Sequence, residues 1–330
     1  MTKPAASTPS PKREPPSPPR HDRCKPLPWH EPKSTEDDAL AVERVQRLVA
    51  SPAYREADED LALLQQPQMR GIRLHLDYWK AEGLLKAHGI AQTIVVFGST
   101  RLCEPAAARR CLDAARRALA ASPGDADRQR DVRIAERIVA KSGYYDVARA
   151  LGRIVGAASR DADPHRLVIM TGAGPGIMEA ANRGAFDVGA ETVGLNIRLP
   201  HPQYPNPYLT PDLCFRFHYF AIRKLHFVQR AKALVVFPGG YGTMDELFEA
   251  LALVQTRTIA PVPIVLVGES YWRRAIDFAF LVDEGVIDPE DIELFWYAET
   301  ADEIWSGINA WHAHPGKPAQ PEANISTVAP

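Results

Sequence analysis

One stretch constrains this chain more than any other: ALVVFPGGYGTMDELFEAL, residues 233–251. An apolar run leads into a turn of glycines, which leads into a helical pattern with two acids near its start. A short apolar run that ends at glycine is typical of a buried strand, so the stretch predicts a strand, a turn and a helix. Backbone N–H groups at the start of such a helix favour a phosphate or another anion.

The same unit recurs along the chain. Further apolar runs predict strands at 93–98, 166–170, 192–199, 214–220 and 263–268, and helical patterns occupy 104–122, 128–159, 175–189, 220–231, 243–256 and 271–285. Strands that alternate with helices predict a parallel sheet with helices on both faces. We therefore expect an α/β fold, a Rossmann-like doubly wound parallel sheet.

Changes in composition predict the domain boundaries. Residues 1–35 are rich in proline, serine and basic residues, which indicates a disordered tail. The alternative is that this segment contains a PxxP-type ligand, which a partner domain would bind. Residues 36–90 show a helical pattern and are predicted to form an N-terminal helical extension. We expect the Rossmann-like domain at 91–312 and a flexible tail at 313–330.

Bulk properties exclude several classes of protein. With 45% apolar residues, 24% charged residues and a net charge of −2, the chain resembles a globular protein without a broad nucleic-acid surface. The four cysteines form no CxxC pair, so we expect neither a metal site nor a disulfide framework. We find no apolar run of about 18 residues and no secretory h-region, so we expect a cytoplasmic protein that does not enter a membrane.

Three predicted strands end in loops of small residues: 97–101, 170–179 and 237–246. In a doubly wound sheet these ends lie along one edge, where ligands bind. A single loop of this kind is equally consistent with a tight turn, but three indicate a nucleotide-like ligand. The dinucleotide pattern G-x-G-x-x-G is not met at the first strand, and no G-K-[ST] follows the glycines, so a mononucleotide is favoured over NAD or ATP.

Charged residues near the third loop allow two interpretations each. Glu246 lies three residues after Thr243, which fits a capping box as well as a catalytic carboxylate. Arg223 and Lys224 lie in the middle of a predicted helix, where a basic pair usually faces solvent. Their aromatic flanks, and the strand and glycine loop that follow, favour a role in the site.

The combined motifs resemble the LONELY GUY family of cytokinin-activating phosphoribohydrolases, often labelled lysine-decarboxylase-like. The family hallmark, PGGxGTxxE after an apolar strand, stands here as residues 238–246, with Arg223-Lys224 in the preceding helix. The second loop, TGAGPGIMEAANRGA, and the run GLNIRLPHPQYPNPY are similar to the longer-chain branch. The similarity covers roughly residues 90–290.

This resemblance implies hydrolysis of the N-glycosidic bond of a nucleoside 5′-monophosphate, such as AMP or a cytokinin riboside monophosphate, by a homodimer or larger homo-oligomer. It implies no metal and no organic cofactor. Glu246 would stabilise the positive charge that develops on the sugar or activate water, and Arg223 would orient the substrate. The residues expected to bind the substrate are Gly98, Ser99, Arg101, Gly172, Gly174, Gly176, Glu179, Lys224, Gly239, Gly240, Gly242 and Thr243.

Two departures from the family pattern are visible. Ala173 stands where glycine is frequent, so the second loop is expected to differ slightly, because alanine tolerates positive φ poorly. An additional helical stretch separates FGSTR from SGYYDVARALG, which is expected to reshape the base pocket. The alternative function is a non-catalytic carrier of a nucleotide or of the molybdenum cofactor on the same fold.

Overall fold

A computed structural model describes residues 30–159, 166–201 and 203–313. The predicted tails, 1–35 and 313–330, therefore lie outside the described residues except for 30–35 and residue 313. Within these ranges, no helix is both long enough and apolar enough to cross a bilayer.

The described residues form strands and helices in alternation. The strands are β1 (Gln92–Phe97), β2 (Leu167–Thr171), β3 (Thr192–Ile197), β4 (Cys214–Phe217), β5 (Ala231–Val236), β6 (Ile264–Val267) and β7 (Phe295–Ala298). The helices are α1 (Ala41–Val49), α2 (Leu61–Leu64), α3 (Arg70–Ala87), α4 (Pro105–Ala120), α5 (Ala126–Lys141), α6 (Gly143–Ala158), α7 (Ile177–Asp187), α8 (Phe220–Gln229), α9 (Tyr241–Gln255), α10 (Glu269–Ala275), α11 (Phe278–Asp283) and α12 (Ala301–Ala313).

All strand pairs of the sheet are parallel, in the order β4-β3-β2-β1-β5-β6-β7. The first four strands extend the sheet in one direction, and the chain then returns through α8 to place β5 on the free side of β1. The strand order therefore reverses between β1 and β5. In open α/β sheets, ligands bind outside the carboxyl ends of the strands at this point.

Successive side chains of the central strands enter two different cores. Val95 and Phe97 of β1 belong to a core that also contains Phe227 of α8 and Leu247 of α9. Ile94 lies in a second core, on the opposite face, which contains side chains of α6, α7 and α12. Parallel strands that are covered on both faces are apolar throughout, which is why the sequence shows them as continuous runs. The predicted fold class, a doubly wound parallel sheet, is confirmed.

The sequence prediction was wrong at two places in the C-terminal part. The stretch 271–285, predicted as one helix, contains the end of α10 and all of α11, because Ile276 is extended and the Asp277 side chain accepts the N–H of Phe280 to start a new helix. Strand β7 and helix α12 were not predicted. The four residues of β7 have no pattern of their own, and their pairing with β6 defines them.

The chain divides into two compact units, residues 1–69 and a second unit that begins at Arg70. Helix α3 thus belongs to the unit that contains the sheet, and the predicted domain boundaries stay a prediction. Within this unit α3 positions α8: the Asp77 carboxylate accepts the N–H groups of His218 and Tyr219, each at 2.8 Å, directly before α8 begins. Further along, Arg230 is paired with buried Glu82 at 2.8 Å.

Candidate active site

The three glycine loops meet at the point where the strand order reverses. The Ser99 N–H, in the loop after β1, donates to the Pro238 carbonyl after β5 at 3.0 Å. The Ser99 carbonyl in turn accepts the N–H of Ile177, the first residue of α7, at 3.2 Å. The first loop is therefore hydrogen-bonded to both of the others, and the predicted site residues of all three loops lie along one edge of the sheet.

The glycines of these loops fall into two groups. A Cβ atom on Gly98 would lie 2.6 Å from the Ile177 side chain, and one on Gly239 would lie 2.1 Å from Oγ1 of Thr243. Packing therefore explains these two glycines. At Gly240 and Gly242, no other described residue beyond the chain neighbours and the backbone of α9 lies within 4 Å of a Cβ position, and neither glycine has a positive φ, so neither packing nor backbone strain explains them. Side chains at these two positions would fill space at the start of α9, where an anion would bind.

The second loop, residues 172–176, is held by a buried polar network. Asn206 donates its backbone N–H to the Ala173 carbonyl at 2.9 Å and its side-chain amide to the Gly174 carbonyl at 3.1 Å. The same amide reaches Oδ1 of Asn182 at 3.0 Å, which also accepts the Thr171 hydroxyl at 2.7 Å. Sequence reasoning missed Asn206, although the proline-rich run around it was noticed.

Ala173 adopts a φ of +61°, in the left-handed region that glycine usually occupies. The loop thus holds Ala173 in a conformation that glycine would permit, and the expectation that alanine alters the loop stays a prediction. The Thr171 hydroxyl accepts the Ala173 N–H at 3.0 Å, and Asn206 binds the Ala173 carbonyl. These two hydrogen bonds hold a backbone conformation that is disfavoured for alanine by about 1–2 kcal/mol.

Arg223 and Lys224 of α8 meet Glu246 of α9. Nη2 of Arg223 lies 3.5 Å from Oε1 of Glu246, and Nζ of Lys224 lies 3.2 Å from Oε2. The Lys224 ammonium also contacts Asp245 at 2.9 Å and Glu249 at 2.8 Å. Arg223 also lies close to the second loop, because its Nη2 would stand 3.9 Å from a Cβ atom on Gly172. The basic pair is therefore next to this loop.

Burial changes the titration of this group. The Glu246 side chain is 6% exposed, and burial raises its pKa above the ordinary glutamate value, although Lys224 and Arg223 act in the opposite direction. Burial also lowers the pKa of the Arg223 guanidinium, against the charges of Glu246 and Asp245. Nε of Arg223 is buried and has no hydrogen-bond partner among the described residues, while the rings of Phe220 and Phe227 lie 5.5 and 5.2 Å from the guanidinium carbon. A buried guanidinium with a free donor is suited to bind an oxygen of a ligand.

The capping-box interpretation of Glu246 and the solvated-face interpretation of Arg223 and Lys224 are wrong. Helix α9 begins at Tyr241 with Gly240 as its N-cap and no side-chain cap hydrogen bond, so Thr243 lies inside the first turn and no capping box forms with Glu246. The side chains of Arg223 and Lys224 are only 14% and 16% exposed, so they do not form a solvated face.

Glu179 and Arg101 lie in different surroundings from Glu246. The hydroxyl of buried Tyr145 donates to Oε1 of Glu179 at 2.9 Å and lies 3.4 Å from Nη1 of Arg183. Arg101 is exposed, and its N–H donates to the Ser99 hydroxyl at 3.1 Å. Tyr145 was not singled out from the sequence, because SGYYD is a common helical start and only the folded chain brings the tyrosine to Glu179.

Comparisons with known proteins agree with the motifs. A sequence model of the family described as possible lysine decarboxylase matches residues 178–308, which include Arg223, Lys224 and Glu246. The chain is 29% identical to the cytokinin riboside 5′-monophosphate phosphoribohydrolase LOG3 of Arabidopsis thaliana over 169 residues, 50% of this chain and 74% of the relative. The resemblance to the LONELY GUY family is confirmed.

Other LONELY GUY relatives are similar at a comparable level. A probable cytokinin riboside 5′-monophosphate phosphoribohydrolase of Oryza sativa subsp. japonica, LOGL6, is 25% identical over 176 residues, 52% of this chain and 66% of the relative. Among solved structures, the structural genomics target TM1055 matches 66% of this chain and 99% of its own at 20% identity and a TM-score of 0.40. The Moco carrier protein from Chlamydomonas reinhardtii matches 52% and 88% at 22% identity and a TM-score of 0.36.

Proposed function

We propose that this chain hydrolyses the N-glycosidic bond of a nucleoside 5′-monophosphate, of the AMP or cytokinin riboside monophosphate type, to the free base and ribose 5-phosphate. The observation that carries the proposal is the buried Glu246 carboxylate, which lies against Arg223 and Lys224 where the strand order reverses. Two of the relatives, LOG3 and LOG1 of Arabidopsis thaliana, are named cytokinin riboside 5′-monophosphate phosphoribohydrolases, which supports the proposal.

The phosphate site is built from the start of α9. Its N-cap, Gly240, makes no side-chain cap hydrogen bond, and Gly240 and Gly242 leave open space around the first turn. The partial positive charge and free N–H groups of a helix N-terminus favour a phosphate there. A phosphate bound at this turn places the ribose near Glu246, one turn further along the same helix.

Glu246 then acts on the sugar or on water. Departure of the base leaves positive charge on the ribose, which a carboxylate stabilises, and a carboxylate also accepts a proton from the attacking water. Burial raises the pKa of Glu246, which makes it a better base than an exposed glutamate at neutral pH. Arg223 keeps its charge even though burial lowers its pKa, so it serves as an electrostatic and orienting group.

Lysine decarboxylation, which the family description names, does not fit the lysine of this site. Pyridoxal phosphate is held as a Schiff base by a lysine that must lose its proton. Lys224 is partly buried, but hydrogen bonds to Glu249 and Asp245 and the charge of Glu246 outweigh this effect and raise its pKa. Its ammonium is therefore stabilised in the charged form, which does not suit a lysine that forms a Schiff base.

The proposed enzyme is a homodimer or a larger homo-oligomer. Large apolar side chains next to the site are exposed in the single chain, including Phe220, Tyr241 and Phe248. Their burial by a second copy would remove apolar surface from water, which favours association. Light scattering of the purified protein measures the assembly directly, and a monomer at micromolar concentration would contradict this part of the proposal.

The test follows free base by chromatography after incubation with AMP, GMP, CMP, UMP and N6-isopentenyl-AMP. Wild-type protein is expected to release base from at least one of them, and Glu246→Gln is expected to lose about 10²-fold or more in turnover, the usual contribution of a general acid or base. Glu290→Gln, the same change at an exposed position, is the matched control and should behave as wild type. Tight nucleotide binding without release of base from any substrate would favour the carrier function instead.

A further inference from the structure

Three carboxylates share one ammonium group beside the proposed reaction centre. Nζ of Lys224 lies 2.8 Å from Oε2 of Glu249, 2.9 Å from Oδ2 of Asp245 and 3.2 Å from Oε2 of Glu246. An ammonium has three N–H donors, so each carboxylate can take one. Glu246 has the longest of the three contacts, which indicates that the other two hold the ammonium more closely.

We infer that Glu249 is a positioning residue, which rests on the proposed function: it binds Lys224 and thereby keeps the Glu246 carboxylate available as a base. Glu249 follows Glu246 by three positions on α9, so both side chains project from the same face of the helix towards α8. Without Glu249, one N–H donor of Lys224 would be released, and Glu246 is the buried carboxylate within its reach.

The charges in the cluster support this role. Two cations, Arg223 and Lys224, come from α8 and face three carboxylates on α9. An excess of negative charge favours binding of a proton, because like charges oppose ionisation. Burial raises the pKa of Glu246, and the negative charge of Glu249 raises it as well. Lys224 and Arg223 lower the same pKa.

Exposure distinguishes Glu249 from Asp245. The Asp245 side chain is 59% exposed, and water screens its charge, whereas the Glu249 side chain is 33% exposed. Screening by solvent reduces the effect of a charge on its neighbours. Asp245→Asn therefore provides a matched control: it removes one carboxylate from the same ammonium at a position where the effect on Glu246 is expected to be smaller.

The experiment measures Glu246 directly, without substrate. Protein labelled with ¹³C at the glutamate carboxyl carbons is titrated by NMR, and the signal of Glu246 is assigned by its absence in Glu246→Gln. In Glu249→Gln, which keeps the shape of the side chain, the midpoint of Glu246 should move to lower pH by about 0.5 unit or more, because a nearby negative charge is lost and Lys224 turns towards Glu246. Asp245→Asn should move it less.

The titration separates this inference from the proposed function. A midpoint that stays in place or rises in Glu249→Gln would overturn the positioning role, even if the wild-type protein is active. A midpoint that falls in a protein without hydrolase activity would support the positioning role and reject the proposed reaction. In an active enzyme, the acidic limb of the kcat/KM profile should move by the same amount as the NMR midpoint, and Glu249→Ala should shift both in the same direction.

Discussion

Gly176 lies so close to Ser99 that a Cβ atom at residue 176 would stand 2.3 Å from the Ser99 carbonyl oxygen. The same carbonyl accepts the Ile177 N–H, so it cannot move without breaking the link between the first two loops. Gly176 also has a φ of +77°, which an L-residue with a side chain rarely adopts. Both the steric contact and the backbone conformation therefore require glycine.

Gly176→Ala is expected to lower the free energy of unfolding by about 2 kcal/mol or more, since a backbone conformation at positive φ that only glycine readily adopts costs alanine about 1–3 kcal/mol by itself. Urea denaturation measures this change. Gly240→Ala is the matched control, because a Cβ atom there has open space and no positive φ. Its stability should stay within about 1 kcal/mol of wild type, the cost of a poorer N-cap, while its affinity for nucleotide should fall. Equal stability losses in the two variants would contradict the conclusion that residue 176 must be glycine for structural reasons.

Asn206→Ala should loosen the second loop. The variant loses the side-chain bonds to the Gly174 carbonyl and to Asn182, both in buried surroundings, so the expected loss of stability is about 1–3 kcal/mol. If the loop binds the substrate, KM should rise more than kcat falls. Asn309→Ala, the same change at an exposed position of α12, should leave thermal stability and kinetics as they are. Wild-type stability of Asn206→Ala would mean that the network does not hold the loop.

Tyr145→Phe tests the contact with Glu179. Removal of the hydroxyl takes away the hydrogen bond that fixes Oε1 of Glu179 and keeps the ring in its core position. If Glu179 binds the ribose hydroxyls, KM should rise several-fold with little change in kcat, because the lost interaction is made equally in the ground state and the transition state. Tyr204→Phe, at a side chain that is 84% exposed, is the control. An unchanged KM would show that Glu179 does not bind the ribose hydroxyls.

The stability of Glu246→Gln, compared with that of wild type at the same pH, should increase as the pH rises. The pKa of Glu246 is raised above 4.5 by burial, so the folded state binds a proton more tightly than the unfolded state does. The stabilisation that this tighter proton binding gives to the folded state is complete below pH 4.5. It is lost as the pH rises through the raised pKa of Glu246, because the folded chain must then ionise a buried group. Glutamine does not ionise and escapes this loss.

Thermal unfolding between pH 4 and pH 8 measures the effect. The difference in Tm between Glu246→Gln and wild type should increase with pH and then become constant. A difference that decreases with pH would show that Arg223 and Lys224 lower the pKa of Glu246 more than burial raises it. For Glu290→Gln, at an exposed site, the difference should stay small throughout this range.

The central strands could be predicted from the sequence because both of their faces are buried. Runs such as IVVF and ALVVF are apolar at every position, which a strand with one solvated face would not be. Strand β7 could not be predicted in this way. Its four residues gain their conformation from hydrogen bonds to β6, and nothing in FWYA specifies that pairing locally.

The candidate site could be predicted in part. Glycines and charged residues in motifs mark the loops after β1, β2 and β5, because a phosphate site needs those residue types next to each other in the chain. Asn206 and Tyr145 could not be found, since their partners are Gly174 and Glu179, which are distant in sequence. Glu249 escaped notice for a similar reason: its role depends on Lys224 of another helix.

The strand order has a consequence for the newly made chain. Strands β1 to β4 add to one another in the order of synthesis, but the other side of β1 stays unpaired until residues 231–236 leave the ribosome. Until then the middle of the final sheet is an apolar edge, the kind of surface to which other chains add. The loop that begins at Gly98 also lacks its partner at Pro238 during this period. A site that needs the loops after both β1 and β5 can therefore form only after most of the protein has been translated, and a chaperone that protects β1 would act before that moment.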